Sequence, residues 1–122
     1  ERLLAAKMLG RAGRGDPDRA LRLIEKFCAE VGDWAVCDTL ATQGARGIVK
    51  KKREELLDLS QRLVGSDNFW QCRFAVVLLT NYAKDEAARA TVERIARAAA
   101  DDREHYVKKA VEWLGRNLNI GA

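Results

Sequence analysis

Three short segments hold all three tryptophans of this chain, and each places its tryptophan on what reads as the second helix of a two-helix unit. The segments are D-W-A-V-C-D at 33–38, S-D-N-F-W-Q-C-R at 66–73 and Y-V-K-K-A-V-E-W at 106–113. From Trp34 to Trp70 to Trp113 the intervals are 36 and 43 residues. Recurrence at that period belongs to two-helix solenoids, where one unit cannot bury its apolar face alone and stacks on its neighbours. The expected architecture is all-α: a right-handed stack of antiparallel helix pairs, a HEAT-like α-α superhelix.

The punctuation of the chain agrees. Proline occurs once, long alternating β-branched runs are missing, and Ala, Leu, Arg, Glu and Lys dominate, all of which favours helix. A first, incomplete helix is expected over about 1–9, broken by Gly10, Gly13 and Gly15. Asp16-Pro17 supplies an N-cap followed by proline at the first helical position. The helix it opens reaches about Glu30 and turns Ala20, Ile24, Phe27 and Val31 inward. Gly32 stops it, and Asp33 caps the next helix, which carries Trp34 and Asp38 and fades by Gly44. A helix over about 47–64 opens with Lys50, Lys51, Lys52 and Arg53 and buries Leu56, Leu59 and Leu63. Gly65-Ser66-Asp67 ends it and begins another over about 67–83, apolar nearly all round and therefore placed mid-domain. Asp85 caps a helix to about Ala100, and the last helix runs over about 103–119. Grouped as pairs over about 17–43, 47–83 and 86–119, the second helices would line the concave side. Trp34, Asp38, Trp70, Arg73 and Trp113 would then share one groove.

A chain of 122 residues suffices for one core, so residues 1–122 read as a single helical-repeat domain, and the missing start methionine reads as a processed or truncated chain. No apolar run approaches the roughly 18 residues a membrane helix needs, and no basic-then-apolar leader precedes L-L-A-A-K-M-L. The expectation is a cytoplasmic, nucleoid-associated monomer with no membrane partner. Cys28, Cys37 and Cys72 match no zinc spacing and read as small buried apolar residues in a reducing compartment. A lone His105 cannot complete a ligand set with them, so neither a metal nor a cofactor is expected. The net charge is +4, from 22 Lys and Arg against 18 Asp and Glu; gathered on one inward patch, that excess favours a polyanion such as nucleic acid.

A tryptophan on a core-facing stripe usually packs into the core. Here smaller residues already fill those faces (Val36 and Leu40; Val76 and Leu79; Val107, Ala110 and Leu114), which leaves the tryptophans available to line a groove. Trp34 and Asp38, four apart, share a helix face, as do Trp70 and Arg73, three apart. Tyr106, Lys109 and Arg116 fall beside Trp113. Asp38 is a poor helix former in a helix interior, and Asp33 already fills the cap. It is either a solvated aspartate or a carboxylate flanked by two tryptophans and an arginine. Arg73 is either the structural partner of an acid or a phosphate clamp, for which a planar guanidinium fork is suited. Lys51 and Lys52, in K-K-K-R at 50–53, belong either to a solvated helix start or to a phosphate-contacting cluster.

W-A-V-C-D at 34–38, N-F-W-Q-C-R at 68–73 and V-K-K-A-V-E-W-L-G-R at 107–116 together resemble the DNA alkylation repair glycosylase family (AlkC/AlkD-like, with HEAT-like repeats). The resemblance covers about residues 17–119. It implies a helical fold that grips duplex DNA containing alkylated bases, and hydrolysis of the N-glycosidic bond to bases alkylated at ring nitrogens. Residue by residue, Asp38 matches the catalytic aspartate, Trp34 and Trp113 the aromatics beside the lesion's sugar, and Arg73 the arginine at the backbone phosphate. Trp70, Lys109, Arg116, Lys51 and Lys52 are the further candidates for DNA contact. The family often has a second basic residue just before the arginine, where this chain has Cys72. Two other readings stay open: a non-catalytic relative that binds DNA structure, and a helical-repeat protein-interaction module whose tryptophans are core.

Overall fold

The structure, a computed structural model, describes residues 2–121. The α-helices are α1 (Arg2–Ala12), α2 (Pro17–Cys28), α3 (Trp34–Thr39), α4 (Arg53–Leu63), α5 (Phe69–Leu79), α6 (Arg89–Ala100) and α7 (His105–Gly121), with no strand among the described residues. α1, α3, α5 and α7 lie side by side in one layer, while α4 packs behind α5, α6 behind α7, and α2 behind α1 and the end of α3. The result is the all-α, HEAT-like stack of helix pairs that the tryptophan spacing predicts.

Local chemistry sets most of the boundaries. Asp16 accepts a hydrogen bond from the Arg19 amide at 3.1 Å and starts α2 with Pro17 at the first position. Asp33 accepts from the Val36 amide at 2.9 Å and starts α3. α5 is capped by Asn68 instead of by Asp67, its carboxamide oxygen taking the Trp70 and Gln71 amides at 2.9 and 3.4 Å. Asp85 caps only a short 3₁₀ turn, Glu86–Ala88, before α6 begins.

Two expectations are corrected. Gly10 does not break the first helix; it lies inside α1 and is buried. A Cβ there would collide with the carbonyl oxygen of Gln43, and one at Gly47 would collide with the carbonyl of Gly10. These glycines let two backbones meet where α1 crosses the end of α3. Gly10→Ala is therefore expected to cost about 1–3 kcal/mol, as overpacking does, whereas Gly65→Ala meets open space and should cost far less. Thermal melts of the two variants check this.

The second correction concerns 46–52. Lys50, Lys51 and Lys52 do not open a helix, because four consecutive cations against the positive end of a helix dipole are unfavourable. Residues 46–48 form a 3₁₀ turn, and α4 begins at Arg53 with Glu54 and Glu55 in its first turn.

α5 occupies the middle. Cys72 through Leu79 are buried, covered by α3, α4, α6 and α7. Ser60, buried on α4, donates to the Ala75 carbonyl at 2.8 Å, and the Tyr82 hydroxyl donates to the Val49 carbonyl at 2.7 Å. All three cysteines are free and buried. Burial pushes the Cys28 thiol from the ordinary 9.0 up to about 11 and those of Cys37 and Cys72 up to about 12. A thiol held neutral in the fold stabilises it below pH 9 and loses that contribution as pH rises toward 12, since the unfolded thiols ionise first. Iodoacetamide at pH 8 is expected to label none of the three until urea unfolds the chain, with mass spectrometry counting the adducts.

Candidate functional site

The site grows from the middle of α3. After Thr39 the helix widens into a π turn over Leu40–Gly44. The Thr42 hydroxyl donates back to the Asp38 carbonyl at 2.7 Å, a side-chain bond of the kind that bends helices. Asp38 thus projects from the last regular turn, and π segments of this kind often mark functional positions. Trp34, one turn earlier at the start of α3, is 56% exposed.

From α5, Arg73 reaches across to it. Its Nε donates to Asp38 Oδ1 at 2.9 Å and Nη2 donates to Asp38 Oδ2 at 2.8 Å, a two-pronged match of planar fork and carboxylate. The third prong, Nη1, donates to the backbone carbonyl of Tyr106 at 2.7 Å. One buried guanidinium therefore ties together α3, α5 and the start of α7. Its side chain is 10% exposed and that of Asp38 24%, so the carboxylate is the open half of the pair. Hydrogen bonding to Asp38 pushes the Arg73 pKa still higher than usual, keeping the cation fixed at every working pH.

An aromatic wall stands beside this pair. Tyr106 lies 4.8 Å from Trp70 and 6.2 Å from Phe69 between ring centroids, and Phe69 and Trp70 are 4.7 Å apart. His105 meets Tyr106 edge-on at 5.4 Å, and the Arg73 guanidinium carbon is 6.0 Å from the Tyr106 ring centre. Trp70 is half-buried in this cluster and Phe69 is exposed. The Cys37 thiol donates to the Trp70 carbonyl at 3.6 Å, fastening α3 to α5 just beneath.

Of the residues the sequence singled out, Asp38 and Arg73 meet directly and Trp70 joins them through Tyr106. Trp113 is half-buried against the core seven positions along α7 from Tyr106, about 10 Å at the helical rise. Neither it nor Trp34 stacks on another described ring. Lys109 is exposed with Glu112 at 3.9 Å, and Arg116 is exposed on the same helix. Lys52 is committed elsewhere: its ammonium contacts Asp18 and lies 3.5 Å from Glu55. Lys51 is exposed and reaches the Arg14 carbonyl at 3.5 Å.

Arg73 pairs with an acid, one of the two partners its sequence allowed. All three of its nitrogens already donate to protein oxygens. Tyr106 and Phe69 carry more of the site than their sequence neighbourhood suggested; the signal was the aromatic pair F-W facing a tyrosine one repeat later. Among the described residues no cluster of His, Cys, Asp or Glu could hold a metal ion, and no helix is long and apolar enough to cross a membrane.

The site is thus a carboxylate presented at a surface, held by a guanidinium and bordered by aromatic rings on a helical-repeat scaffold. The chain matches the family model for DNA alkylation repair enzymes over residues 1–119, and it belongs to that family. No curated protein and no solved structure matches it.

Proposed function

We propose that this protein is a DNA glycosylase, hydrolysing the N-glycosidic bond of purines alkylated at N3 or N7 in duplex DNA and so starting base-excision repair of alkylation damage. The observation that supports this most is the Asp38 carboxylate, oriented by two hydrogen bonds from Arg73 yet still open to solvent.

An N-alkylated purine already carries positive charge, so it departs as a neutral base when the bond from the sugar carbon to nitrogen breaks. The electron pair leaves with the base, and positive charge develops on the deoxyribose. Water then bonds to that carbon and gives up a proton, which Asp38 can accept and pass to solvent. The transition state resembles that of glycoside hydrolysis, and a fixed anion stabilises it.

The magnitude depends on Arg73. A carboxylate ~4 Å from the sugar cation contributes about 4 kcal/mol at an effective dielectric near 20. A guanidinium ~8 Å away on the far side opposes it by about 2 kcal/mol. The net of about 2 kcal/mol is roughly 30-fold in rate. Arg73 thus aims the carboxylate while damping its charge. Indole faces at Trp34 and Trp113 would add about 0.5–2 kcal/mol of cation–π attraction.

The same damping favours a second reading, a relative that binds DNA structure without cleaving. Incubation with methylated duplex DNA separates the two. Release of free 7-methylguanine or 3-methyladenine supports the glycosylase; binding without release supports the other.

A further inference from the structure

We propose that Asn81, together with Thr42, is a positioning residue for the Asp38 carboxylate. The two side chains hold open the π turn that follows Asp38 and so fix the direction in which the carboxylate leaves α3. The catalytic consequence rests on the glycosylase reading above; the geometry rests on hydrogen bonds alone.

π turns are rare and occur mostly as single wide turns inside α-helices. In an unbroken α-helix the Ala41 carbonyl would accept from the amide four residues on, that of Ala45. Here a side chain reaches that carbonyl from another repeat. Asn81 lies in the 3₁₀ turn Thr80–Tyr82 that ends α5, and its carboxamide donates to the Ala41 carbonyl at 2.9 Å and to the Leu78 carbonyl at 3.0 Å. A donor that enters the ladder from the side competes with the α pattern and favours the wider turn. The Thr42 hydroxyl, on the Asp38 carbonyl at 2.7 Å, acts on the same turn from within.

The far side of the turn is held independently. Gln43 meets α1 at Gly10, and a Cβ at Gly44 would lie 3.1 Å from Leu40 Cδ1 and 3.4 Å from the Ala6 carbonyl. At 3.6 residues per turn, the one residue by which a π turn exceeds an α turn rotates the two sides against each other by about 100°. With Gln43 and Gly44 fixed on α1, closure to α geometry would turn Asp38. The Arg73 fork needs both carboxylate oxygens and would lose its match. Arg73 and Asn81, eight residues apart in the chain, thus hold the end of α3 at two points, one on the carboxylate and one on the main chain behind it. Tyr82 supplies the comparison. It neighbours Asn81 and also donates to a main-chain carbonyl, that of Val49 at 2.7 Å, but Val49 lies outside the π turn.

Two measurements on Asn81→Ala test the assignment. Single-turnover release of 7-methylguanine from methylated duplex DNA is expected to fall by about 10- to 100-fold, the scale of a misplaced catalytic group, with affinity for the duplex within about twofold of wild type. The ¹⁵N–¹H NMR signal of Arg73 Nε should move toward that of a solvated guanidinium. Tyr82→Phe should lower Tm and leave both the rate and the signal at their wild-type values. Circular dichroism checks folding; should Asn81→Ala not fold, Thr42→Val, close in shape but without the donor, is expected to give the same two changes. An unmoved Arg73 signal in the folded variant overturns the positioning role even if release slows, as does a Tyr82→Phe variant that reproduces both changes. The failures are distinguishable. No base release by the wild type sinks the glycosylase reading alone, and the Arg73 signal still decides the role of Asn81. Wild-type base release with rate and signal unchanged in Asn81→Ala sinks the positioning role alone.

Discussion

Asp38→Asn is expected to lower the release of 7-methylguanine from methylated duplex DNA by between about 30-fold and about 1,000-fold. The lower figure is the carboxylate's contribution with Arg73 opposing it, and the upper is its contribution undamped, about 2 and about 4 kcal/mol. The substitution keeps size and one acceptor oxygen, so Arg73 retains a hydrogen bond. Affinity for undamaged duplex should move less than twofold, because an aspartate has no attraction for phosphate. Single-turnover release under saturating enzyme, measured by chromatography of free bases, reads the chemical step directly. A wild-type rate in the asparagine variant would remove Asp38 from the chemistry.

Arg73→Ala is the larger structural change. It strips the Asp38 carboxylate of both its bonds from Arg73 and removes the side-chain donor to the Tyr106 carbonyl, which ties α5 to α7. Breaking a fully buried pair costs about 3–5 kcal/mol, while an exposed one is worth less than about 1 kcal/mol. With Arg73 at 10% exposure and Asp38 at 24%, a loss of about 2–3 kcal/mol follows, or roughly 10 °C in Tm for a chain of this size. Arg73→Lys keeps the charge but cannot fork across both oxygens and still reach Tyr106, so it should fall between. A positioning role also predicts that Arg73→Lys lowers the rate of base release more than the affinity for duplex. A phosphate-binding role predicts the reverse, with the salt slope falling by about 0.9. Thermal melts, release rates and binding on the same three proteins decide between them.

Much of the fold was legible because its signals are local. Asp16-Pro17 and Asp33 act as caps through bonds spanning three residues, and the greasy run at 72–79 is buried as its composition demands. Gly10 was misleading for the opposite reason. A glycine reads as a helix breaker until its partner is known, and the partner, Gln43, is 33 residues away. The site divides the same way. That Asp38 faces Arg73 could be anticipated from repeat spacing, whereas Arg73 also binding a main-chain oxygen of Tyr106 could not, since a backbone acceptor has no residue type. The K-K-K-R run at 50–53 is conspicuous in the sequence, yet its three lysines fall before α4, in a turn and not in a helix.

The central position of α5 has a bearing on how the molecule breathes. In a stacked array the outermost units have a neighbour on one side only and fray first. α5 is enclosed by four helices and should be the last segment whose amides exchange with solvent. Asp38 is bolted to that slow-exchanging segment by Arg73, and Trp34 shares its short helix, while Trp113 rides farther along α7. Opening of the distal part of α7 can therefore widen or narrow the space on the Trp113 side without moving the carboxylate itself.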